Sequence, residues 1–118
     1  MTLHHVSLEV RRAEVPGEIR FWELLGFTET EPAGTIGERA SWVQRGSTHI
    51  HLLYAEDPVV PPQGHAAVVV DDFDATVATL VEAGLTPKES TRHWGVPRAF
   101  VQSPAGHTVE LMAEAPPQ

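Results

Sequence analysis

Cysteine is absent from this 118-residue chain. That absence removes disulfides, thiolate nucleophiles and thiolate metal sites together, and it fits a reducing cytoplasm. Long apolar runs are missing too: none approaches the ~18 residues that span a bilayer. The stretch "MTLHHVSLEV" lacks the basic start and long apolar core of a secretory signal. A soluble, cytoplasmic protein with no membrane partner is therefore expected. Positive charge is scarce, with eight Lys and Arg against sixteen Asp and Glu and a formal net charge of -8. That balance opposes the phosphate attraction behind most nucleic-acid affinity, so no nucleic-acid partner is expected. Histidine is plentiful, with seven in the chain, and with no cysteine to share metal work these are the informative residues.

At this length the chain reads as one domain, spanning 1–118 and large enough to bury a core without staples. Leu3 to Val10 alternates with period two, placing His4 with Val6, Leu8 and Val10 on one face and His5, Ser7 and Glu9 on the other. Pro16 suits a first helical position. Val15, Ile19, Trp22 and Leu25 recur at helical spacing until Gly26. Phe27 to Glu31, Arg39 to Arg45 and Thr48 to Tyr54 read as strands, and "AEDPVVPPQG" (Ala55 to Gly64) as a connector. The order then begins again. "HAAVVVDD" is a strand ending in aspartates that cap a helix striped by Phe73, Val77, Leu80 and Val81 and closed at Gly84. Strands follow at Thr86 to Ser90, Arg98 to Ser103 and Thr108 to Ala113.

The sequence thus reads as an α+β fold of two β-α-β-β-β modules: 1–56, a linker over 57–63, and 64–118. Overlaying the modules sets His5 on His65, "LGF" near "AGL", and "THIHLL" on "HTVELM". Each half alone would be marginal, so the two are expected to build a curved mixed sheet, a cup with helices on its outer face. His5, His51, His65 and Glu110 fall on the faces opposite the apolar sets, two from each half, as four potential ligands. Imidazoles with one carboxylate suit a divalent Zn, Ni, Co, Mn or Fe and argue against copper(I) or iron–sulfur chemistry.

Taken together, "LHHVSLEV", "FWELLGFTE", "IHLL", "GHAAVVVDD" and "FVQSPAGHTVEL" resemble the vicinal oxygen chelate superfamily over nearly the whole chain. That superfamily includes glyoxalase I, fosfomycin-resistance enzymes, methylmalonyl-CoA epimerase, extradiol dioxygenases and bleomycin-resistance proteins. "FWELLGF" is similar to the family's "FYxxxLGF" helix, and "SPAGHTVEL" to its "DPxGxxxEL" ending, with Ser103 in place of the usual aspartate. The resemblance implies metal ligands at His5, His51, His65 and Glu110. His51 departs from bacterial-type glyoxalase I, which has glutamate there. The resemblance also implies a homodimer and a small-molecule substrate chelated through neighbouring oxygens, with Glu110 leaving the metal to move a proton. Without His51, the triad of His5, His65 and Glu110 resembles the iron site of extradiol dioxygenases. The other alternative is a metal-free binder of the bleomycin-resistance type.

Further residues complete the expected site. His49 shares the face of His51 and is a candidate for supporting the ligands or touching substrate. Trp42 belongs either to the core or to the cup wall. His93, Trp94 and Arg98 in "RHWGVPRAF" are expected to line the cup's mouth and hold an anionic or aromatic substrate; the plainer reading of that stretch is an exposed hairpin tip. His4 is expected to face the helix as a packed or edge residue, His107 to lie on the surface in a turn, and Trp22 to sit in the core.

Overall fold

The computed structural model describes residues 1–118. Strands β1 (His5–Val10), β2 (Thr28–Thr30), β3 (Ala40–Arg45) and β4 (Thr48–Tyr54) accompany helix α1 (Val15–Leu24). Strands β5 (Ala66–Val69), β6 (Lys88–Glu89), β7 (Arg98–Gln102) and β8 (Thr108–Met112) accompany helix α2 (Phe73–Glu82). The α+β class and the doubled β-α-β-β-β order are thus present. Hydrogen bonding organises the strands into two four-stranded sheets, ordered β1-β4-β3-β2 and β5-β8-β7-β6. Two compact units result, Met1–Val60 and Pro61–Gln118. No helix is long and apolar enough to cross a membrane.

In the first unit β1 runs parallel to β4, with His5 opposite His49 and Ser7 opposite His51. A parallel pair needs a crossover, which α1 supplies. Strand β3 then returns antiparallel to β4, with Trp42 opposite His51 and Gln44 opposite His49. Register neighbours share a face, so His5, His49, His51 and Trp42 lie on one side. The other side is apolar and buried: Val10, Val43, Ile50 and Leu52 are at most 2% exposed. Phe21 and Trp22 of α1 are equally buried, and Trp22 meets Phe21 and Phe27 edge-on at 5.3 and 5.1 Å.

The second unit repeats the plan. Ala67 stands opposite Glu110 and Phe100 opposite Glu110 on its other side, while Val101, Val109 and Leu111 are buried on the reverse face. Asp72 caps α2 by accepting the Ala75 N–H at 3.0 Å. Both helices end alike. Gly26 and Gly84 each take φ of +90°, and the following residue donates back five positions, Phe27 to Trp22 O and Leu85 to Leu80 O, each at 3.0 Å. Only glycine adopts that conformation without strain, which is why "LGF" and "AGL" overlay.

Some expectations need correction. Val81 is 56% exposed and is not part of the buried stripe; it lies about 100° around the helix from Leu80, past the edge of the face that Phe73 and Leu80 bury. His107 is 3% exposed rather than a surface residue: it and Ser103, at the two ends of the turn, are buried while Pro104 between them is exposed. In that turn Ser103 Oγ accepts the His107 N–H at 3.1 Å, and Ser103 N–H donates to His107 O at 2.8 Å. The serine hydroxyl thus fills an acceptor position that an aspartate carboxylate could also serve. Strands β2 and β6 are shorter than their apolar patterns suggested.

Candidate functional site

Four imidazoles crowd one face of the first unit. The ring of His51 lies between two others: Trp42 stacks on it at 4.1 Å with planes 3° apart, and His5 at 3.9 Å and 15°. His4 stacks on His49 at 4.5 Å, and its Nδ1 is 3.0 Å from Nδ1 of His5. His4 therefore does not pack toward the helix. Strand β1 begins only at His5, so the pleat that governs residues 5–10 does not set the direction of His4. Ligand atoms of His4, His5 and His51 all lie within 4.8 Å of one another.

Burial, with His5, His49 and His4 close by, lowers the pKa of His51 to about 4. His49 is lowered by burial as well, then by His4 and His5. Both rings are therefore neutral near pH 7, the form in which imidazole binds a metal. His51 is 6% exposed, and its Nε2 is buried with no hydrogen-bond partner. An orphaned buried nitrogen is costly and suits a position that a ligand or cation completes.

The second unit arranges its side chains as a chain of charge. His65 lies one residue before β5, its Nδ1 2.9 Å from the carbonyl oxygen of Gln63. A carbonyl only accepts, so Nδ1 carries the proton and Nε2 faces Oε1 of Glu110 at 3.0 Å. On the other side Arg98 Nε donates to Glu110 Oε2 at 2.9 Å, and its Nη1 donates to Ser90 Oγ at 3.1 Å and to the Thr91 carbonyl at 2.9 Å. The bond to Gln63 and the Glu110 carboxylate raise the pKa of His65 despite partial burial. Burial pushes Glu110 up, but hydrogen bonds from Arg98 and His65 outweigh it and hold the carboxyl below its usual range.

These donors fit a divalent metal. A histidine whose far nitrogen is held by a carbonyl is the usual supported metal ligand. The 3.0 Å between Nε2 and Oε1 matches the separation of about 3.0 Å between adjacent ligands on an octahedral cation with bonds of ~2.1 Å. Glu110 can offer Oε1 and leave Oε2 with Arg98.

Of the expected site residues, the structure brings His5, His49, His51 and Trp42 together in one unit, and His65, Glu110 and Arg98 in the other. Arg98 is 9% exposed and spends its donors on Glu110, Ser90 and Thr91. Its guanidinium also lies 5.0 Å from the Phe100 ring and 5.8 Å from that of Trp94. Trp94 donates from Nε1 to the Glu114 carbonyl at 3.2 Å, and His93 is exposed in the turn beside it. From the sequence, His4 is expected to face the helix, and Ser90 and Phe100 are not among the expected site residues. Phe100 had a usable signal, since it sits opposite Glu110 in register; the loop residue Ser90 had none.

A family model described as "Glyoxalase/Bleomycin resistance protein/Dioxygenase superfamily" matches residues 2–111. Among solved structures, a glyoxalase family protein from Bacillus anthracis is similar at 20% identity and TM-score 0.84, over 95% of this chain and 93% of that one. The fosfomycin resistance protein FosX from Listeria monocytogenes is similar at 16% identity and TM-score 0.78, over 97% and 91%. An antibiotic-binding protein, TnmS3, from a Streptomyces species is similar at 23% identity and TM-score 0.72, over 95% and 94%. Likeness at these identities carries the fold alone. Among curated proteins, none matches the chain.

Proposed function

The chain belongs to the glyoxalase/bleomycin resistance protein/dioxygenase superfamily, and from that premise we propose that it is a metal-dependent enzyme acting on a small molecule with two neighbouring oxygens. His5, His51, His65 and Glu110 are the metal-holding residues of this reading, with the cation among Zn, Ni, Co, Mn and Fe, and the working form is a homodimer in the cytoplasm. When bound, such a metal supplies Lewis acidity toward the substrate's oxygens. The chain's own residues do the rest. Glu110 offers Oε1 as the atom that takes or returns a proton, while Arg98 keeps Oε2 occupied and the carboxylate ionised. Gln63 fixes the proton of His65 on Nδ1. Trp42 and His49 offer an aromatic and polar surface to the substrate in the first unit; His93, Trp94 and Arg98 do so in the second.

The observation that carries this reading is the His65–Glu110 pair, whose Nε2 and Oε1 face one another at 3.0 Å with the competing tautomer removed by Gln63. Metal analysis of purified protein tests it, followed by a screen of α-hydroxycarbonyls, catechols and fosfomycin. Stoichiometric metal in the native protein, with weaker metal stabilisation and no turnover in Glu110→Ala, is the expected result; no metal in the native protein and no stabilisation by added metal would sink it. One observation favours a second reading, a metal-free small-molecule binder. Arg98 already neutralises Glu110 in a buried, well-bonded pair, leaving the carboxylate satisfied without a cation. The same metal analysis separates the two.

A further inference from the structure

We infer that the first unit carries a divalent-cation site of its own, made by His4, His5 and His51, which needs neither His65 nor Glu110. It shares two residues with the proposed catalytic set but replaces that set's other two with His4, so either reading can fail without the other.

Three features of the first unit build the site. The ligand atoms of the three rings already lie within 4.8 Å of one another. Nitrogens bound to one cation at ~2.1 Å stand about 3.0–4.2 Å apart, so closure requires the exposed His5 ring to swing out of its stack on His51 and the exposed His4 ring to turn with it. His51 is the buried anchor: it is 6% exposed, its Nε2 has no partner, and Trp42 covers its other face. His4 is held in place from both ends. Its carbonyl accepts the His49 N–H at 2.9 Å, and its ring stacks on that of His49. The 3.0 Å contact between Nδ1 of His4 and Nδ1 of His5 needs a proton on one nitrogen only. A cation that displaces that proton takes both lone pairs.

The donor set fixes what binds. Three neutral imidazoles with no carboxylate leave the cation's charge uncompensated and give poor affinity for oxygen-seeking Mg or Ca. Ni, Cu(II) and Zn are the cations such nitrogen sites favour, with at least one coordination position left to water or an anion.

The test uses full-length, metal-free protein titrated calorimetrically with NiCl₂. The His65→Gln/Glu110→Gln double variant should keep a Ni site, and adding His4→Gln should weaken that site at least about tenfold. His4 is exposed, so that change does not threaten the fold, and circular dichroism confirms folding of each protein. A folded double variant that binds no Ni, or that binds it equally with and without His4, overturns the inference. Should the double variant not fold, Cu(II) paramagnetic resonance of wild type against His4→Gln decides: loss of one coupled nitrogen supports the site, and an unchanged count overturns it. Failure of the proposed enzyme reading looks different, since Ni then persists in the double variant while the metal-loaded wild type turns over no substrate.

Discussion

His5 and His65 hold matching places in the two units, each two residues before the register partner of the next candidate ligand: Ser7 opposite His51, and Ala67 opposite Glu110. The chemistry around them is opposite. In the first unit the neighbour is another imidazole, stacked at 3.9 Å, and His51 is held neutral with its pKa near 4. In the second the neighbour is a carboxylate at 3.0 Å, and His65 is pushed toward its charged form. One scaffold position, filled by His in one copy and Glu in the other, thus separates the two pairs: His51 is pushed toward its neutral form and His65 toward its charged form. The fold sets distances and the residue sets protonation, so a doubled fold can present two kinds of donor from one plan.

The contrast breaks most forcefully at Arg98. Arg98→Ala strands a Glu110 that is only 7% exposed and should cost about 3–5 kcal/mol in denaturant unfolding. Arg98→Ala/Glu110→Gln should recover part of that, because no uncompensated charge remains; an equal loss in both variants would mean that packing, not charge, sets the cost.

Acid separates the units next. His51 titrates near 4 when folded against an ordinary 6.5. Its contribution is therefore complete above pH 6.5 and lost as pH falls toward 4, up to about 3 kcal/mol. His65 has the opposite sign. With its pKa raised, its contribution is complete below the ordinary histidine range and lost as pH rises through the folded value. Glu110, held low, contributes fully above its ordinary 4.5 and loses that contribution as pH falls from there through its lower folded value. Urea unfolding of wild type should weaken between pH 6.5 and 4, and His51→Gln should flatten that decline. The same slope in both proteins would assign it to other groups.

The matched helix ends sharpen the comparison on a finer scale. Gly26→Ala and Gly84→Ala should each cost about 1–2 kcal/mol in thermal or denaturant unfolding, from the positive φ alone. Gly26 should be the worse, since an added Cβ meets Arg45 Nε at 3.4 Å while nothing lies within 4 Å at Gly84. Equal losses would show that Arg45 yields freely. The smallest expected effect is at the helix starts. Asp72→Ala removes a side-chain cap worth about 1 kcal/mol, whereas Glu14, at the corresponding place before α1, makes no such cap and Glu14→Ala should cost less.

Much of this was legible in the residues because it depends on local period. Alternation over Val6, Leu8 and Val10, the stripe through Trp22, and the glycines of "LGF" and "AGL" each report a backbone state that neighbours in sequence determine. The repeat then aligned His5 with His65 without any knowledge of packing. What escaped depends on where an element starts or on distant partners. His4 precedes the first strand by one residue, so alternation misassigned it. Val81 has the right character for the stripe but lies beyond its edge. Arg98 is expected at the cup's mouth with His93 and Trp94, and nothing near it in the chain names its partner. Only register with β8 reveals that Glu110 holds it. His107 is polar and next to a turn, and nothing in the letters says that the turn's two ends are buried.

The face-to-face contact of Trp42 with His51 gives the first unit an optical readout of its own. An excited indole is quenched by an adjacent imidazolium, or by an open-shell ion bound to that ring, through electron transfer at contact range. Trp22, in the same unit, is sealed in the apolar interior on the reverse face of the sheet, so it does not touch the imidazole cluster. Changes in emission on acidification or ion addition that vanish in Trp42→Phe would therefore report the state of the two rings that Trp42 touches, His51 and His49, with no label attached.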